Sequence, residues 1–166
     1  MAQHTQYPQH VNEIDTGPFT ISYRVHVNAS VDQLWPLVVN PHRHHELDGS
    51  GSLSAQVSGP EVLTEGDTFN IWMRQFGVPY TIKMRVLTAE PHHEIAWQHP
   101  TKHVWAWAFE AAGDGGTWVT ETFDYRQVSP LMLRVWKAMG MFNHNAHNIR
   151  ATLQGLQTHY AKAVHD

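Results

Sequence analysis

Between Lys102 and Ala112 the chain reads Lys-His-Val-Trp-Ala-Trp-Ala-Phe-Glu-Ala-Ala, so that Trp105, Trp107 and Phe109 alternate with small residues. A helix would scatter these rings around its circumference, whereas a strand sends alternate side chains to opposite faces and lines the three rings up on one surface. Neighbouring runs repeat the pattern. Phe69, Ile71 and Met73, then Tyr80, Ile82, Met84 and Val86, then Ile95 and Trp97 share one parity, with Asn70, Lys83, Arg85, Glu94 and Gln98 on the other. The expectation is a concave sheet with an aromatic inner face.

The order of elements around this run suggests an α+β chain. Phe19 to Val27 alternates as a first strand. Ser30 can cap a short helix over Val31 to Val39, which Pro36 would kink, and Asn40-Pro41 opens a second short helical turn. After the loop Leu47 to Gly51, strands are expected at about 52–58, 66–74, 78–89, 94–99, 102–111 and 116–126, punctuated by Gly and Pro. That makes seven antiparallel strands. Ser129-Pro130 starts a long helix with Ser as N-cap and Pro where its missing N–H does no harm. Val135, Met139, Phe142, Ala146, Ile149, Leu153, Leu156 and Tyr160 form one apolar stripe along it, and Gly140 is a point where it can bend. A striped helix beside an aromatic sheet face predicts that the helix lies across the sheet.

A length of 166 residues suits one domain, expected over residues 17–166, with residues 1–16 as a flexible tail. Hydrophobic residues make up 42%, enough for a core. With 16% charged residues and a formal net charge of −4, no basic field exists to hold nucleic acid or anionic lipid, and nucleic acid is not an expected partner. The absence of cysteine excludes disulfides and thiolate chemistry and suits a reducing compartment. No apolar run approaches a membrane span and the polar N-terminus does not read as a signal peptide, so a cytoplasmic protein without membrane insertion is expected. Oligomeric state is left open.

The element order resembles the helix-grip fold of the START-like (SRPBCC) superfamily, which includes the birch-pollen-allergen family. Val27 to Trp35 is similar to that family's first-strand exit and helix start. The segments Asn40 to Gly51, Gly66-Asp67-Thr68-Phe69, Ile95-Ala96-Trp97 and Gly116 to Thr120 resemble its polyketide cyclase/dehydrase branch. The resemblance spans roughly residues 19 to 160. It implies a seven-stranded curved sheet wrapped on a long C-terminal helix, two short helices after the first strand, and a hydrophobic cavity between sheet and helix. Members bind lipids, sterols, polyketides or aromatic metabolites; some catalyse cyclisation or dehydration and others only carry or sense a ligand, with no catalytic residue common to all.

If the hairpin turns centre near Thr101 and Asp114, Trp97 lies opposite Trp105, Trp105 opposite Phe123, and Trp107 opposite Glu121. Glu121 is then a carboxyl among rings, suited to be a general acid or a ligand anchor, or else paired within the cavity. His99 shares the inner parity and falls beside His103 and near Tyr125. Register arithmetic separates His99 from Glu121 by roughly 16 Å, too far for a direct dyad, so they would act at opposite ends of a ligand. His99 and His103 lack a third metal ligand, and no metal or cofactor motif occurs in the chain, so neither group is expected. His144 and His147 point away from the sheet; His42, His44 and His45 read as an exposed polar turn with gating as the alternative; Arg74 and Arg85 read as surface charges. The expected pocket residues are Phe69, Met73, Tyr80, Met84, Trp97, Trp105, Trp107, Phe123, Tyr125 and Phe142, with Glu121 and His99 as candidate catalytic groups.

Three functions fit this reading: binding of a small hydrophobic molecule, a polyketide cyclase or dehydratase in which Glu121 or His99 moves a proton, and a groove that accepts a partner segment.

Overall fold

The computed structural model describes residues 10–48, 53–75 and 77–162. It contains β1 (Asn12–Ile14), β2 (Thr20–Val27), α1 (Val31–Val39), a 3-10 turn (Pro41–Arg43), α2 (His44–Leu47), β3 (Leu53–Ser58), β4 (Thr68–Gln75), β5 (Val78–Glu90), β6 (Glu94–Gln98), β7 (Val104–Ala111), β8 (Thr117–Asp124), α3 (Pro130–Ala138) and α4 (Met141–Lys162). The strands form one antiparallel sheet in the order β1-β2-β8-β7-β6-β5-β4-β3. From β3 to β8 the strands pair in hairpin sequence, while β2 reaches across the chain to pair with β8, Ser22 opposite Thr122.

The sheet has eight strands, not seven. The additional strand, β1, falls inside the segment expected as a tail and pairs with β2 from Asn12 opposite Arg24 to Ile14 opposite Ser22. Its three residues carry too little alternation to register as a strand; the free edge of β2 recruits them through backbone hydrogen bonds.

The alternation read from the sequence matches the observed facing. Phe69, Ile71, Met84, Val86, Ile95, Trp97, Trp107 and Phe109 are buried, whereas Trp72, of opposite parity, is 38% exposed. Trp97 pairs with Trp105, Trp105 with Phe123, and Trp107 with Glu121, in the expected register. Register shifts between Val86 and Thr88 in β5, and between Leu53 and Val57 in β3, add local twist.

The long C-terminal helix is broken in two. Ser129 accepts the backbone N–H of Met132 at 3.3 Å and Pro130 occupies the first turn, as expected. Gly140, however, adopts φ +71°, and its N–H donates to the carbonyl of Lys137. A left-handed glycine just past a helix end stops the helix rather than bending it. The apolar stripe consequently loses phase: Ile149, Leu153 and Leu156 are buried as predicted, but Val135 and Met139 stand 44% and 60% exposed, and Trp136 takes the inward position in α3.

Helix α4 packs against β2 and β8 at one side of the sheet. The inner faces of β4 to β7 are therefore not filled by its side chains, and space remains between them and the helix. Among the described residues no helix is long and apolar enough to cross a membrane.

At Gly59, φ is +141° and an added Cβ would lie 2.7 Å from the Phe69 Cβ. Gly59→Ala should cost on the order of 3 kcal/mol in urea unfolding, combining backbone strain with a clash against strand β4. Gly113→Ala, at φ +81° with open space around it, should cost only about 1 kcal/mol. Equal losses would mean that the close approach to Phe69 carries no weight.

Candidate functional site: an aromatic cavity with a buried carboxyl

The space between α4 and the central strands is a partly enclosed cavity of about 720 Å³, within the range of small-molecule sites. Strands contribute Ile71 and Met73 from β4, Tyr80, Ile82 and Met84 from β5, Trp97 from β6, and Trp105 and Trp107 from β7. Helix α4 contributes Asn145, Asn148, Ile149 and Thr152. The exposed Arg74, Pro100, Thr101 and His144 mark its rim.

One end of the cavity is closed by the short helices. Of the aromatic row on β7, Phe109 is covered by Trp35 of α1, edge to face at 5.9 Å, which leaves Trp107 and Trp105 to face the cavity. His44 of α2 closes the next position by stacking on Trp97 at 4.8 Å with an angle of 22°. Here the expected exposed turn is corrected: His44 is 5% exposed, and its Nε2–H donates to the Val38 carbonyl at 2.7 Å. Burial lowers its pKa to about 4, so the ring is neutral at pH 7. The local cause is Asn40, whose side chain accepts the His42 N–H at 3.0 Å and starts a turn that leads straight into α2. His45 is exposed, and His42 meets the Gly59 carbonyl.

Glu121 stands on β8 opposite Trp107, 7% exposed, and its Oε2 has no hydrogen-bond partner. Removal from water pushes its pKa well above the usual carboxylate range, and the neighbouring charge of Asp48 pushes it the same way. A carboxyl with these surroundings keeps its proton to a higher pH than an exposed one, and in that form it offers both a donor and an acceptor to whatever enters the cavity.

Near the rim, His99 and His103 stack with centroids 3.9 Å apart, and the His99 N–H donates to the His103 carbonyl. Thr101 Oγ lies 2.6 Å from His103 Nδ1. Burial lowers the pKa of both rings, that of His103 to about 4, and for His99 the charge of His103 adds to the effect. Both are neutral bases at pH 7. Among the described residues no group of three or more His, Asp and Glu side chains could hold a metal ion.

Six of the ten expected pocket residues line the cavity: Met73, Tyr80, Met84, Trp97, Trp105 and Trp107. The other four are spent on packing. Phe69 and Phe123 have no exposed surface; Tyr125 lies against Phe142 at 4.8 Å and against Phe123 at 5.7 Å, an aromatic cluster that seats the start of α4. Parity identifies the inner face but not which inner rings are covered from above. Arg74 reaches the rim although its parity is outward, because it stands near the end of β4. His144, exposed as expected, also lies on the rim, with Asn148 Nδ2 at 3.3 Å from its Nε2; His147 is exposed and is not part of this cavity's lining. The sequence reading missed Asp48, Asn145, Asn148, Thr152 and Trp136. Their signal was present: Asn145, Asn148 and Thr152 recur at helical spacing beside the apolar stripe, a polar seam where a solidly packed helix would continue with apolar residues.

The family described as polyketide cyclase / dehydrase and lipid transport matches residues 18–161. Uncharacterized protein Rv0088 of Mycobacterium tuberculosis is 38% identical over 154 residues, covering 92% of this chain and 69% of the relative. Among solved structures, protein Ms6760 from Mycobacterium smegmatis is similar with a TM-score of 0.65 at 17% identity, over 93% of this chain and 99% of the other. The di-domain ARO/CYC BexL from the BE-7585A biosynthetic pathway is similar with a TM-score of 0.63 at 19% identity, over 87% of this chain and 47% of its own.

Two pH effects follow. His44, whose pKa falls on folding, contributes stability that is present above pH 6.5 and is lost as pH drops toward about 4, on the order of 3 kcal/mol. His44→Gln, which keeps an N–H donor, should flatten the thermal stability profile across that window. Glu121, whose pKa rises on folding, contributes stability present below the ordinary carboxylate pKa and lost as pH rises. Glu121→Gln should therefore raise the melting temperature at pH 7 and change it little below pH 4; a lower melting temperature at pH 7 would mean that the carboxylate is well solvated.

Proposed function

Because the chain belongs to the polyketide cyclase / dehydrase and lipid transport family, we propose that it encloses a small, neutral, largely aromatic or polycyclic molecule between the sheet and α4, in a helix-grip arrangement. The observation that carries this reading is the cavity of about 720 Å³ with a buried, unpartnered carboxyl on its wall. Filling such a space with side chains would be worth several kcal/mol of packing, so a cavity kept open suits a protein whose ligand supplies the missing contacts. Trp97, Trp105 and Trp107 provide flat apolar surfaces, and Glu121 provides one hydrogen bond to a carbonyl or hydroxyl of the ligand.

The electrostatics favour a neutral guest. Among the described lining residues Arg74 alone is a permanent cation and it stands at the rim, while Glu121 and Asp48 face the interior. A ligand carboxylate beside Glu121 and Asp48 would meet two acids and, among the described lining residues, no permanent cation. His44, His99 and His103 are uncharged at neutral pH and offer hydrogen bonds without a field.

An enzyme reading is favoured by one arrangement: a proton-holding acid, Glu121, and a pair of neutral bases, His99 and His103, face the same cavity. Register places Glu121 and His99 about 16 Å apart, so a cyclase or dehydratase would use them on different parts of one substrate. The ARO/CYC description of the structurally similar BexL makes polyketide-like compounds the substrates to try.

An apolar fluorescent probe should bind and quench tryptophan emission, and Trp107→Ala should weaken that binding by about tenfold or more while Trp72→Ala, on the outer face, leaves it unchanged. Equal effects would place the probe elsewhere. Mass spectrometry of the natively purified protein identifies the retained molecule, and with it Glu121→Gln decides between carrier and enzyme. Weaker binding with no turnover in either protein marks an anchor; unchanged binding with lost turnover marks a general acid.

A further inference from the structure

Helix α4 buries the amides of Asn145 and Gln157. That of Gln157 is answered by the protein, donating to the His26 carbonyl at 2.9 Å. Asn145 is different. It is 9% exposed, it lines the cavity, and among the described residues no hydrogen bond reaches its side chain. It stands one turn before the buried Ile149, where a solidly packed helix would carry an apolar residue, and helix propensity gives no reason for asparagine there. A buried amide without a partner costs stability. Glu121 shares this condition on the opposite wall of the same cavity, with its Oε2 unpartnered.

Two contacts fix how α4 lies along β8. Phe142 meets Tyr125 with ring centroids 4.8 Å apart, and the Arg150 guanidinium lies 5.6 Å over the ring of Tyr23, which pairs with Glu121 in the sheet. From Tyr125 to Glu121 the chain rises roughly 13 Å, and from Phe142 to Arg150 the helix rises about 12 Å, so the two run side by side in opposite directions. Asn145 then stands about 7–8 Å along the helix from the level of Glu121, on the side of His144 and the rim. Trp107, opposite Glu121, and Trp105, opposite Phe123, floor this interval.

We propose that Asn145 and Glu121 anchor the two ends of one ligand, a neutral fused-ring phenol or ketone whose oxygens lie at opposite ends of the ring system. Resting on the cavity's role as a ligand site, this narrows the guest: neither a bare hydrocarbon nor a ring with two adjacent hydroxyls satisfies both groups. The amide offers an N–H and a carbonyl, and the protonated carboxyl an O–H and a carbonyl, so a hydroxyl or a ketone is matched at either end. The rings between them lie on Trp105 and Trp107. Asn145 selects the ligand without moving a proton, because an amide does not titrate near neutral pH.

The test is displacement of the apolar fluorescent probe by three compounds: naphthol, the dihydroxynaphthalene with hydroxyls at the far ends of its two rings, and the isomer with adjacent hydroxyls. A second hydroxyl loses its hydration on entry and weakens binding unless a partner waits inside. The wild-type protein should nevertheless bind the far-end diol about tenfold more tightly than naphthol, and the adjacent diol no more tightly than naphthol. Asn145→Leu and Asn145→Ala should each lower affinity for the far-end diol about tenfold while leaving that for naphthol within about twofold. Circular dichroism and retained binding of the apolar probe show that each variant is folded with its cavity open. A wild type that binds the far-end diol no better than naphthol overturns the inference, as does a preference that survives both substitutions. Failure of all three compounds to displace a bound probe overturns it too, and leaves the cavity reading standing. Only failure of the apolar probe itself to bind removes both.

Discussion

The packing of α4 against β2 and β8 is the constraint on which the rest of the molecule depends. One helix cannot cover eight strands. By seating Ile149, Leu153 and Leu156 at one side, it leaves the inner rings of β6 and β7 facing an opening instead of a core. A sheet carrying smaller side chains there would collapse onto the helix. Rings as large as Trp97, Trp105 and Trp107 hold the layers apart, since they are held at the sides by His44 of α2, by Phe109 and Phe123, and by one another.

Once water is excluded from the inner end, the chemistry there follows from solvation. The same burial acts in opposite directions on acids and bases: it keeps a proton on Glu121 and removes one from His44, His99 and His103. Burial thus shifts all four ionisable side chains toward their uncharged, hydrogen-bonding forms. This is a coherent environment for a guest with no charge of its own.

Strand facing and register were legible in the residues because alternation leaves little freedom: Trp107 could not face inward without Glu121 opposite it facing inward too. What the residues did not reveal were decisions made by neighbours distant in sequence. Phe123 and Trp105 share a parity, yet Trp105 lines the cavity and Phe123 packs beneath Trp136. His44 sits among histidines of similar appearance and differs only in the ring it meets, Trp97, more than fifty positions away. The stripe along the C-terminal segment was real, but Gly140 resets its phase, and a single left-handed residue is read from φ rather than from composition. Likewise β1 belongs to the sheet because β2 had an edge to offer.

The pairing of Ser22 with Thr122 joins positions a hundred residues apart, in contrast to the hairpins of β3 to β8, whose partners lie close along the chain. Closing so long a loop costs entropy that only later contacts repay, which sets an order of events. On that argument the hairpins are expected to form before β2 closes on β8, with α4, whose seat is made by those two strands together, docking after both. The cavity would then be completed late in folding. A guest present at that moment would find its walls still separate, and could be enclosed as the chain completes itself rather than having to enter by the rim.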